Sequence, residues 1–166
     1  MARGLGETTI TISVLDRLID LEPENKAENL LSRTQSLRLL RASVRRDLEW
    51  LLNSRRVADP PNENLKEVNK SAYIYGLPDL SALTMATAAD RSRLMRQILA
   101  TINIFEPRLS NVRIVIVETE DSSKKDVRLR IEAMLRTDPV PEPISFDSVI
   151  ELKSGNCHLS GGDDAR

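Results

Sequence analysis

The residues able to do chemistry are few in this chain, and their spacing excludes more than it suggests. The single histidine, His158, adjoins the single cysteine, Cys157, in "SGNCHLSGG". A Cys–His pair is the raw material of a thiol nucleophile or half a metal site, but either role needs a fixed geometry between the two side chains. Adjacent residues on a Gly/Ser-rich tail do not supply it. The sequence contains no CxxC, HExxH, GxSxG, P-loop or GxGxxG pattern, so zinc, serine-hydrolase and nucleotide chemistry have no anchor. Glycoside hydrolysis requires two carboxylates across a cleft, one with a raised pKa. Among 25 acidic residues no such pair stands out. The expectation is a chain that is not an enzyme, with no metal, cofactor or small-molecule substrate.

Two other groupings are more informative. In "FEPRL" (105–109) a helix-like run stops at Pro107, which leaves Glu106 at a helix C-terminus. That end carries partial negative charge, so a carboxylate is disfavoured there. Arg108 follows beyond the proline. Propensity accounts for Pro107, which ends the helix and turns the chain into a strand, but not for Glu106. At such a junction Glu106 and Arg108 either pair locally, which contributes little at an exposed site, or bond more distant groups, including groups on a partner. The second grouping is Arg33 to Arg56, seven arginines against the two acids Asp47 and Glu49. Nucleic-acid binding would call for interleaved aromatics or a known module, and Trp50 stands alone. A solvated helix face or a protein interface, where Trp and Arg are enriched, is the expected use.

These residues must be positioned by elements that periodicity reveals. "SLRLLRASVRRDLEWLLNSRR" (36–56) places Leu37, Leu40, Val44, Leu48, Leu51 and Leu52 on one helical face. At about 100° per residue, Leu39 and Trp50 fall together on the opposite side, with Arg46 beside them. That back face packs either under a loop of the same domain or against a partner. A helix after Thr87, with Asp90 in a capping pattern, carries Leu94, Ile98, Ile102 and Phe105 as its stripe. Upstream, "SVLDRLIDLEPENKAENLL" predicts a short amphipathic helix capped by Ser13, on a peripheral segment 1–30. Residues 57–86 read as a long loop with a brief extended piece through Tyr73 and Tyr75.

Three alternating runs predict strands: "VRIVIV" (112–117), "VRLRIEAML" (127–135) and "FDSVIELK" (146–153) with Phe146, Ile150 and Leu152 inward. "TEDSSKKD" reads as a charged hairpin loop. Val115 and Val117 give the first strand a second apolar face, which predicts cover on both sides, from loop 57–86 or from another chain. The fold class is α+β: two or three amphipathic helices on a small three-stranded antiparallel sheet, one domain over 31–153, with 154–166 a disordered tail. Length (166 residues), 40% hydrophobic content and a net charge of −1 fit one soluble domain with no pull toward nucleic acid or an anionic membrane. The longest apolar run is about four residues and the N-terminus has no hydrophobic leader, so a cytoplasmic location without membrane insertion is expected.

In combination, "SVLDRLID", "SVRRDLEWLLNSRR", "YGLPDL" and "FEPRL" ahead of a β-branched strand resemble TssE, the baseplate subunit family of bacterial type VI secretion systems. The family groups with phage-tail baseplate wedge proteins once labelled lysozyme-like. The resemblance runs from about residue 13 to 153. It implies structural work: a place in the baseplate wedge beside the TssF and TssG subunits, and a fold that offers the first ring of sheath subunits a template for interlocking strands. It assigns Glu106, Pro107 and Arg108 to contacts in that assembly; the face of Arg46, Trp50 and Leu39, read from helical spacing, is expected to be a further partner-binding face. Two alternatives remain at this level: a peptidoglycan-cleaving enzyme, as the older label holds, and a soluble anti-adaptor of the same fold.

Overall fold

A computed structural model of the chain describes residues 10, 13–19, 32–59, 61–79, 87–117, 126–151 and 154–162. Along the chain run α1 (Val14–Leu18), α2 (Arg33–Asn53), two short 3-10 turns (Val68–Lys70 and Ala72–Ile74), α3 (Ala88–Phe105), β1 (Leu109–Ile116), β2 (Asp126–Leu135), β3 (Glu142–Glu151) and β4 (Cys157–Gly161).

Capping chemistry sets where the two long helices begin. At α2 a capping box forms: Gln35 N–H donates to Ser32 Oγ at 3.3 Å, and Ser32 N–H donates to Gln35 Oε1 at 2.9 Å. At α3 the Asp90 N–H donates to Thr87 Oγ1 at 3.0 Å. The predicted stripes are the buried ones. Leu40, Val44, Leu48, Leu51 and Leu52 of α2, and Leu94, Ile98 and Ile102 of α3, pack onto the sheet, while Leu37 and Phe105 are partly buried beside them. Burying a Leu, Ile or Phe contributes roughly 1.5–3 kcal/mol, so this aliphatic layer is the main source of stability in a chain poor in aromatics.

The sheet is antiparallel throughout, in the order β1-β2-β3-β4. Strands β2 and β3 pair without interruption from Asp126↔Glu151 to Leu135↔Glu142. Between β1 and β2 the register shifts across Ser110–Arg113, where Asn111 takes a left-handed φ of 53°. Inward residues Leu129, Ile131, Leu135, Ile144, Phe146 and Ile150 meet the helices. Leu152 and the hairpin residues 118–125 lie outside the described residues.

Two expectations need correction. The sheet has four strands, not three, because β4 forms inside the segment read as a disordered tail. Composition concealed it, but Cys157 and Leu159 alternate inward and are buried. The Asn53 side chain also clamps the strand's backbone: its Nδ2 donates to Cys157 O at 2.8 Å and its Oδ1 accepts from Cys157 N–H at 2.7 Å. Tyr73 and Tyr75 lie in and after a 3-10 turn rather than an extended piece. On β1's outer face Val115 is 47% exposed among the described residues. Helix α1 spans five residues, Val14–Leu18, with Ile19 as its C-cap; residues 20–31 are outside the described set.

The loop after α2 returns to the helix end at "YGLPD". Leu77 N–H donates to Ser54 O at 2.9 Å and Arg56 N–H to Leu77 O at 3.0 Å. Gly76 lies at φ 100°, and a Cβ there would stand 2.4 Å from Ser54 O, so only glycine allows the approach. This lashing sets Arg56 and Ile74 beside α3.

Losing the Asn53 clamp removes two hydrogen bonds to β4. Asn53→Ala is therefore expected to lower unfolding stability by about 1–3 kcal/mol, measured by urea denaturation. A disordered tail would leave the value unchanged.

Candidate functional site

The site grows from the end of α3. Glu106 caps the helix, with its N–H donating to Ile102 O at 2.8 Å. Pro107 cannot continue the helix, so the chain reverses and Leu109 N–H closes onto Glu106 O at 3.2 Å. The reversal turns the Glu106 side chain inward, and the residue is only 3% exposed. A carboxylate buried at the negative end of a helix dipole is unfavourable on two counts.

Arg108 compensates both. Its Nε donates to Glu106 Oε1 at 2.6 Å, its Nη2 donates to Glu106 Oε2, and its backbone N–H reaches Oε1 at 3.3 Å. This is the bidentate arrangement that the planar guanidinium suits. The remaining donors cross to α2: Nη1 to Ser43 Oγ at 3.1 Å and Nη2 to Asp47 Oδ2 at 2.7 Å. Beyond Asp47 the charges alternate further. Asp47 Oδ1 accepts from Arg46 Nε at 3.1 Å and Nη2 at 2.9 Å, and Arg46 Nη1 donates to Asp16 Oδ1 of α1 at 2.6 Å. Five charged side chains thus tie α3, β1, α2 and α1 together.

Titration follows from this geometry. The Glu106 bond, aided by Asp47, raises the Arg108 pKa above its ordinary value against the opposing effect of burial. At Asp16 burial alone would raise the pKa, but bonds from Arg46, Ser43 and Ser13 outweigh it and bring the carboxyl down to about 2. The Arg46 guanidinium lies 5.1 Å from the centre of the Trp50 ring, a cation–π contact, and Trp50 is 55% exposed.

The residues singled out from sequence are placed as follows. Glu106, Pro107, Arg108 and Arg46 meet in one network, and Trp50 flanks it. Leu39 is 46% exposed on α2, but eleven residues before Trp50, about 16 Å along the axis, so it stands apart from the cluster. Sequence reasoning missed Ser43, Asp47 and Asp16. The available signal was the i, i+4 spacing of Ser43 and Asp47, which gives α2 a polar edge beside its apolar stripe. Cys157 and His158 form no pair. Strand alternation sends the thiol into the core, 3.1 Å from Ser148 Oγ, while the imidazole is exposed 3.7 Å from Glu49. Burial pushes the Cys157 thiol up to about 11, so it stays protonated near neutral pH.

The fold and network define a structural α+β module whose central charges bind one another across a helix–strand junction. The chain belongs to the baseplate wedge protein gp25 family: the family model matches residues 38–140, more than half of the chain. The match runs from the second turn of α2 to the turn before β3, and so includes Ser43, Arg46, Asp47, Glu106 and Arg108. The family is one of structural baseplate proteins. No curated protein is significantly similar to the chain. Among the described residues no helix is long and apolar enough to cross a membrane.

Two outcomes follow from the network. Arg108→Ala leaves Glu106 buried and uncompensated, and is expected to cost about 3–5 kcal/mol by chemical denaturation. Glu106→Ala frees the better-solvated partner and should cost visibly less. In the second test, Asp16 has a folded pKa of about 2 against an ordinary 3.8. Its stabilisation is present above pH 3.8 and fades as pH falls toward 2. Asp16→Asn should therefore be less stable than the parent at pH 6, with the gap closing by pH 2.

Proposed function

We propose that this chain is the TssE-type wedge subunit of a type VI secretion baseplate, a non-enzymatic part that binds TssF- and TssG-like subunits and starts the contractile sheath. The observation that carries the reading is the free edge of β1 beside the Glu106–Arg108 lock. Strand β1 pairs with β2 on one side, and no described strand pairs with the other. Val117 N–H donates to Arg128 O at 2.9 Å; by the two-residue alternation of an antiparallel ladder, the backbone groups of Ile114 and Ile116 point away from β2. Such an edge recruits a strand from another chain. The lock fixes where the strand starts, so little ordering is left for the pairing step.

In the assembled particle Glu106, Pro107 and Arg108 act by holding this edge in place and by presenting the solvent side of Arg108 to a neighbour. The Arg46–Trp50 pair serves as a contact with the wedge partners, and Leu39 as a separate apolar contact further along α2. The proposed setting is the cytoplasmic side of the membrane-anchored apparatus, with neither nucleic acid nor a small-molecule substrate involved.

Proline at an outward amide removes the donor while sparing the ladder to β2. Ile116→Pro, with Ile116→Ala as the control for the lost side chain, is the test. The alanine variant should support sheath polymerisation in cells and the proline variant should abolish it, both with folded-state spectra like the parent. A folded proline variant that assembles sheath normally would falsify the strand-pairing role.

A further inference from the structure

A second surface, remote from the β1 edge in its chemistry, lies between α3 and the segment after α2. A recess of about 210 Å³ is walled by Arg56, Arg93 and Arg96, with Ala100, Ile104 and Phe105 among its apolar lining. Ile74, delivered by the Gly76 lashing, lines it as well. Among the described residues no acid lines the recess, and none of the three arginines forms an ion pair with a described residue. This contrasts with the arginines of the network, which are engaged by carboxylates. The apolar floor is firm, since Phe105 meets Tyr75 edge-to-face at 5.2 Å, and Ile104 is exposed on it.

The apolar floor identifies what fits: three cations beside Ile74, Ile104 and Phe105 suit a chain that carries both carboxylates and an apolar side chain.

We propose that this recess binds an acidic peptide segment of a partner protein. Its carboxylates bond Arg56, Arg93 and Arg96, and an apolar side chain rests on Ile74, Ile104 and Phe105. Charge complementarity and the apolar floor together select the segment. The inference is independent of strand pairing at β1.

The probe is a fluorescein-labelled twelve-residue peptide of alternating Glu and Leu, compared with its Lys/Leu counterpart by fluorescence anisotropy on the full chain. The acidic peptide should bind, and R93E/R96E should weaken it at least tenfold, with both arginines exposed and the fold intact by circular dichroism. Absence of acidic-peptide binding, equal binding of the lysine peptide, or indifference to R93E/R96E each overturns the proposal. So does displacement of the peptide by an equimolar single-stranded oligonucleotide, since that outcome describes a general anion patch.

Discussion

The structure turns on one constraint: the Glu106 carboxylate is buried at the end of a helix where its charge is least welcome. Only a cation held close can keep it there, and Arg108 does so two residues later because Pro107 reverses the chain between them. The same guanidinium then has donors left for Ser43 and Asp47, so compensating one charge also fixes α2 against the α3–β1 corner. Arg46 extends the ladder to Asp16 and with it places α1. A local solution to a misplaced charge therefore becomes the joint of the domain.

The same bonds show how the charges of "FEPRL" are held within the chain. The pair is local in sequence, but it is neither exposed nor weakly held. Glu106 bonds within the chain, and Arg108 is shared by three acceptor residues.

Periodicity made the helices and three strands legible because their apolar residues repeat at 3.6 or 2 along long segments. Thr87 and Pro107 marked the limits of α3 through chemistry that acts within one turn. What stayed hidden depends on residues far apart in the chain. Strand β4 has only two inward side chains, too few for a pattern, and is held by Asn53 from more than a hundred residues away. Asp47 sits among arginines that disguise it as part of a solvated face, yet it is the acceptor that joins Arg46 to Arg108. The need for Gly76 to lie against the Ser54 carbonyl appears only when the loop folds back.

Helix α2 shows how one element serves three demands. Its Leu/Val stripe is fully committed to the core, and its Ser43/Asp47 edge is committed to the lock. The side bearing Trp50 satisfies neither and remains exposed. A helix anchored on two sides cannot shift to hide that third side. The same reasoning applies to β1: its start is pinned by Arg108 O accepting from Arg136 N–H at 2.8 Å, and its ladder to β2 resumes after the bulge. Rigidity inside the domain is what holds its edge and its back face in fixed positions.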